Sequence, residues 1–321
     1  MRRREVIAGA ASALFAPRGA FGQAGAKRRI AYLSSHLADD PLNVMRFGAF
    51  EAGLAAFGWQ TGKNIEIDYR IIGDANSQIA ARELVASGPD VVVCVSTNNL
   101  LALTAATKTI PIVFVQVADT LGGATIGSVS RPGGNFTGFV NYELSIFWKQ
   151  VAVLLEAVPH LKKLTLMHDG TTMTSYFRAA LATRSAVPIK EALVSGIETI
   201  EQAIVRVASE QDSGLLVGND IHNVNNRAAI IALAAKHAVP AHLPYPNFVK
   251  QGGFISYGVE LFDLYRRSAA YVDKILKGEK PGELPIQFPV KFELAVNLKT
   301  AAALGLTIPF SIIARADEII E

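Results

Sequence analysis

The feature that most limits what this chain can fold into is an alternation. From Arg28 onward, apolar runs of strand length are separated by stretches patterned as helices, the signature of βαβ units laid on a parallel sheet. Residues 29–33 form the first run. Residues 42–57 follow, with Val44, Phe47, Phe50, Leu54 and Phe57 at spacings of three and four, one face of a helix. Residues 64–72 alternate apolar and polar side chains, as a strand with one wet face does. Residues 75–87 read as a helix closed by Gly88-Pro89, and residues 90–95 are almost wholly apolar, as in a strand covered on both faces. A short helix at 100–108 and a strand at 110–115 complete the first series.

The turn Pro132-Gly133-Gly134-Asn135 and a short strand at 136–140 break this rhythm. The alternation then restarts, which puts a boundary near Asn141. Helices at 147–158, 173–183, 200–209 and 226–237 alternate with strands at 163–167, 188–193 and 214–217. After residues 254–258 comes a helix at 261–276, a turn-rich connector from Lys280 to Pro285, and a last strand and short helix at 292–304. Two similar halves predict an α/β protein of two doubly wound, parallel-sheet lobes with a crevice between their strand ends. The helix at 261–276 can return to the first lobe, giving several crossovers.

Composition fits that reading. The chain has 321 residues, enough for two domains by length, with half of them hydrophobic and 18% charged. The net charge of +3 includes Arg2, Arg3 and Arg4, and elsewhere the two signs are interspersed, so nothing resembles a nucleic-acid footprint. Cys94, the single cysteine, sits in the apolar run 91–95 and reads as a core residue; no disulfide can form within one chain. Residues 1–26 read as an export signal: a basic start, a short run of apolar and small residues at 6–15, and Ala24-Gly25-Ala26 where a signal peptidase would cut. The run is too short to cross about 30 Å of hydrocarbon. Arg3-Arg4 also fits a twin-arginine signal. The expected location is the periplasm.

Catalytic motifs fail one after another. Gly58-Trp59-Gln60-Thr61-Gly62-Lys63-Asn64 has the wrong glycine spacing for a P-loop, and Asn64 stands where magnesium needs Ser or Thr. There is no Gly-x-Ser-x-Gly elbow and no Gly-x-Gly-x-x-Gly after the first strand. The six histidines have no zinc spacing and read as surface or capping residues. No metal or cofactor is expected. What remains is a set of polar residues where strands end, the edge at which open α/β sheets take ligands. Ser34 and Ser35 follow the first strand. Ser96 and Thr97 follow the third and open a helix, a seat for an anion. Asp119 follows the fourth, and Asn219-Asp220 closes a strand of the second half. Asn141 at the boundary, Tyr245 and Tyr257 join them, the tyrosines as aromatic walls. Each Ser, Thr or Asn taken alone is explained as a helix cap; as a group they mark a ligand site. Ser35, Ser96 and Thr97 suit a carboxylate, and Asp119, Asn219 and Asp220 a cationic or hydroxyl group.

The ending is distinctive. Leu284-Pro285-Ile286-Gln287-Phe288-Pro289-Val290, continued through Asn297-Leu298-Lys299-Thr300-Ala301 to Ala314-Arg315-Ala316-Asp317, resembles the ABC transporter substrate-binding family that includes the tryptophan-binding protein TrpX. Arg131-Pro132-Gly133-Gly134-Asn135 and the stretch from Tyr265 to Gly278 resemble two further blocks of that family. The resemblance implies a type I periplasmic-binding fold whose lobes hinge shut on a solute. The lobes would be residues 27–140 plus 258–284 and residues 141–257 plus 285–321, with crossovers near Asn141, Gly258 and Leu284. It implies no enzyme activity, a small-molecule ligand such as an amino acid or an aromatic or carboxylate metabolite, ABC permease subunits as partners, and a monomer. Many members have Asp-Pro where this chain has Asp119-Thr120, and an Asp-Pro-like turn where it has Asn219-Asp220, so the ligand does not transfer with the family. The same fold also serves periplasmic sensors, and an α/β enzyme is the third alternative.

Overall fold

In this computed structural model, which describes residues 27–73, 76–117, 128–141, 144–170 and 185–321, the alternation resolves into two sheets. The first contains β1 (Arg28–Ser34), β2 (Ile65–Ile71), β3 (Val91–Val95), β4 (Ile112–Val117) and β5 (Phe136–Val140), all parallel, in the order β2-β1-β3-β4-β5. Helices α1 (Leu42–Ala56), α2 (Ser77–Ala86) and α3 (Thr97–Ala106) connect them. Every residue of β3 and β4 is buried, as their unbroken apolar runs require. Burial pushes the Cys94 thiol far above its ordinary range, so it is an inert core residue.

The second sheet repeats that winding. With β6 (Lys163–His168), β7 (Ile189–Leu193), β8 (Ser213–Val217), β9 (Ala241–His242) and β10 (Ile255–Val259), its order is β7-β6-β8-β9-β10, and β11 (Phe292–Asn297) and β12 (Glu318–Ile320) extend it. Its helices are α4 (Leu144–Ala157), α5 (Ile197–Ser209), α6 (Ile221–Asn225), α7 (Arg227–Lys236) and α8 (Pro246–Lys250). The helix expected at 226–237 is α7, and a short additional helix, α6, precedes it and ends at Asn225. The helix expected at 173–183 lies outside the described residues. Among those described, no helix is long and apolar enough to cross a membrane.

Helix α9 (Leu261–Leu276) leaves β10 of the second sheet and packs on α1 and β4 of the first. It buries Leu264, Tyr265, Ser268, Ala269 and Val272, a 3.6-residue stripe. Gly53 permits the approach: a Cβ there would lie 2.5 Å from the Arg266 carbonyl oxygen and 2.7 Å from the Ala269 Cβ. The connector beyond stays with the first lobe. The Ile286 and Gln287 amides donate to the Val129 and Gly138 carbonyls at 2.8 and 2.9 Å, and Ile286 and Phe288 pack into the first lobe's core. Only at Phe292 does the chain enter the second sheet, pairing with Val259. It re-enters at the end where β10 left, so β11 must run antiparallel to β10, a departure from the all-parallel expectation. Helices α10 (Leu298–Ala303) and α11 (Phe310–Ile313) complete the fold.

Candidate functional site

Each sheet reverses its winding once, between β1 and β3 in the first lobe and between β6 and β8 in the second. At such a point the loops leave in opposite directions and open a crevice beyond the strand ends. The two crevices face each other across a cleft holding about 420 Å³ of free space, its open mouth included. The first lobe contributes His36 after β1, the turn Val95-Ser96-Thr97-Asn98 between β3 and α3, and Gln116 of β4. The second contributes Asn219, Asp220, Ile221 and Val224, and Asn141 stands at the crossing.

Two residues of the first-lobe wall of the cleft hold backbone conformations that side chains disfavour. Ser96 has φ 88° and ψ 154°, a region used almost only by glycine, and Gln116 has φ 55° beside a register shift in β4. Such strain concentrates at ligand sites. Ser96 caps α3, its Oγ accepting from the Asn99 amide at 3.4 Å and lying 3.1 Å from Ser35 Oγ. The capping residue also lines the cleft, because α3 begins there and turns its positive end toward it. Ser34 and Ser35 are buried behind this wall, Ser34 Oγ accepting from the His36 amide at 3.2 Å; they support the lining rather than form it.

Behind the cleft runs a polar network joining the lobes. The Tyr265 hydroxyl donates to Gln116 Oε1, and Gln116 Nε2 and Asn141 Nδ2 donate to the Tyr245 hydroxyl at 3.2 and 2.9 Å. Tyr245 therefore offers its hydroxyl to the wall, while its buried ring packs edge-on against Phe248; it is no aromatic face for a ligand. Tyr257 is not brought to the cleft. Its ring stacks on Phe292 in the second lobe's core, under the Lys149 ammonium, because mid-strand alternation points it at a flanking layer. Asp119 lies outside the described residues.

His36, His168 and His242 are buried, contrary to the expectation of surface histidines. Burial, reinforced by the Arg46 charge, lowers the His36 pKa to about 3, so its ring is neutral. Its Nε2 faces Gln116 Oε1 at 3.2 Å, leaving Nδ1 with no protein partner; Asn141 Oδ1 and Asn219 Oδ1 are in the same condition. In the second lobe, Asp220 accepts from the Asn223 amide and side chain at 2.9 and 2.8 Å. Burial and then the Asp169 charge raise its pKa to about 7. The cleft thus sets a helix N-terminus against a wall of acceptors.

The family model described as ABC transporter substrate binding protein matches residues 33–320. The chain belongs to that family. Its members bind substrates for transport and are not enzymes, and the two-lobed fold is that of type I periplasmic-binding proteins. A Vibrio cholerae conserved domain protein of known structure is 27% identical, with 92% of this chain and 99% of that one covered at a TM-score of 0.81. An ABC domain from Streptococcus pneumonia solved with L-Trp is 22% identical, covering 92% and 100% at a TM-score of 0.83. A tyrosine-binding protein of Clostridioides difficile is 24% identical over 85% of this chain and 80% of its own length.

Of the residues singled out from sequence, the cleft gathers Ser96, Thr97, Asn141, Asn219 and Asp220. It adds His36, Gln116, Asn98, Ile221 and Val224. His36 and Gln116 stood within strand-end segments, and that position was the available signal. Ile221 and Val224 carried none, since an apolar residue opening a helix reads the same in any fold.

Proposed function

We propose that this chain is the exported solute-binding component of an ABC importer and that its solute carries an α-amino acid head. The single observation behind the reading is the opposed lining, with the α3 N-terminus on one lobe and Asn219 and Asp220 on the other. The carboxylate would lie against Ser96, Thr97 and Asn98, and the ammonium against Asp220 and the Asn219 and Asn141 carbonyls. Relatives named for tyrosine and crystallised with L-Trp make aromatic amino acids the first solutes to try. A ligand touching both walls stabilises the closed lobes. Residues 1–26 would be removed on export to the periplasm, and the mature monomer would dock on its permease. The lobes would hinge at crossovers near Asn141, Gly258 and the connector that begins at Leu284.

Calorimetric titration of the purified protein with L-tyrosine, L-tryptophan and the remaining L-amino acids tests this. Binding should vanish for the N-acetyl and the amide derivatives of any solute that binds. Equal affinity for both derivatives would end the amino-acid reading. At a hundredfold excess over Kd, ligand should add about 2.7 kcal/mol to stability.

A further inference from the structure

Beside the cleft, the two lobes also meet through charge. Asp40 follows β1 in the first lobe, and Arg227 opens α7 in the second. The Arg227 guanidinium grips the Asp40 carboxylate with both ends, Nη2 to Oδ1 at 2.6 Å and Nη1 to Oδ2 at 3.1 Å, and both side chains are buried. We propose that Arg227 and Asp40 form a latch that draws the lobes together before any solute arrives, so that these residues set affinity without touching the ligand.

Each half of the latch is built by its own lobe. Asp40 accepts from Arg46 Nη1 at 2.8 Å and from the Leu42 amide at 3.0 Å, and Arg46 is fixed in turn by Asn43 at 2.8 Å. Arg227 donates through Nε to Gln251 at 3.0 Å and through Nη1 to the Val224 carbonyl at 3.1 Å, and its guanidinium lies over the Phe248 ring at 5.5 Å. None of these contacts requires the other lobe. When the lobes part, neither ion is stranded; when they meet, both are already oriented and partly dehydrated. That preparation removes much of the ordering and desolvation cost that otherwise cancels the gain of a buried pair. Asn225 Nδ2, two residues from Arg227, donates to the Ser35 carbonyl at 3.0 Å across the same seam. The latch is coupled to the cleft, because Val224, whose carbonyl Arg227 holds, lines it.

The inference rests on the two-lobed fold and is independent of which solute binds. The test uses spin labels on Val44→Cys of α1 and Ile197→Cys of α5, both exposed, and pulsed dipolar distances in the solute-free protein. The unlatched form should be a minor population in the otherwise unaltered chain. Arg227→Gln and Asp40→Asn should each move the closed-to-open ratio by at least about tenfold toward open, and the double substitution no further. Arg227→Lys, which keeps the charge but not the two-pronged grip, should fall between. Arg227→Met retains the packing on Phe248 and replaces the Gln variant should that fail to fold. The latch is overturned by a wholly open distribution in the unsubstituted protein, or by folded variants whose distributions superimpose on it.

Discussion

Asp220, the proposed ammonium partner, is a buried carboxyl whose ionisation costs stability. Its folded pKa, raised to about 7, lies above the ordinary carboxyl value, so folding favours the protonated form. The corresponding stability is fully present below about pH 4 and is lost as pH rises through about 7, a loss on the order of a few kcal/mol. Asp220→Asn removes the titration while keeping an acceptor for Asn223. The solute-free variant should melt above the unsubstituted protein at pH 8, and its melting temperature should change less between pH 4 and 8. Thermal melts across that range check it. The proposed ammonium partner predicts the reverse trend in binding: affinity for an amino acid should climb with pH up to about 7 as the carboxylate forms. Ser96 makes a parallel case. Its φ of 88° and ψ of 154° belong to glycine, so Ser96→Gly should be more stable than Ser96→Ala by about 1–3 kcal/mol in chemical denaturation, although both lose the hydroxyl.

At the scale of elements, the junction of α1 with α9 carries the return of the chain to the first lobe. Gly53 is its point of closest approach, with the Arg266 carbonyl 2.5 Å from where a Cβ would stand. Gly53→Ala should therefore destabilise the protein by about 1–3 kcal/mol despite alanine's better helix propensity, as urea unfolding would report. This junction also shows what sequence could reveal. The amphipathic stripe of α9 and the apolar runs of β3 and β4 are local, periodic and readable. The place where α9 docks is not, since its buried face would suit either lobe. The antiparallel β11 was hidden for the same reason: its direction follows from the connector staying with the first lobe as far as Phe288, a tertiary fact. Polar strand ends were legible as a group because the winding of an open sheet decides where its crevice lies. The orientation of Tyr245 and Tyr257 was not, because a ring near a strand end can face the crevice or the flanking layer with the same sequence around it. The pairing of Asp40 with Arg227 was invisible too, since the two are 187 residues apart and joined only when the lobes meet.

Over the whole molecule, closure must satisfy polar groups from both lobes at once, and the Tyr245 hydroxyl is where that requirement converges. It accepts from Gln116 of the first lobe and from Asn141 at the crossing, at 3.2 and 2.9 Å, deep enough that burial, opposed by those same hydrogen bonds, keeps its pKa above the ordinary tyrosine value. Tyr245→Phe leaves the ring on Phe248 undisturbed but strands the Gln116 and Asn141 amides in a buried wall. Each buried donor without a partner costs about 1–3 kcal/mol. In the open form those amides can turn to water, so the cost falls mainly on the closed form, and the substitution biases the lobes apart. Solute affinity should then fall about tenfold or more, chiefly through faster release, because the lobes reopen more often around a bound molecule. Stopped-flow displacement of the solute measures the release rate. A loss confined to the rate of capture would place the hydroxyl's role at the entrance of the cleft instead of in holding it shut. The latch at Arg227 and the hydroxyl at Tyr245 have no hydrogen-bond partner in common, and Tyr245→Phe leaves in place the Phe248 ring on which both residues pack, so their effects on the open–closed equilibrium should add.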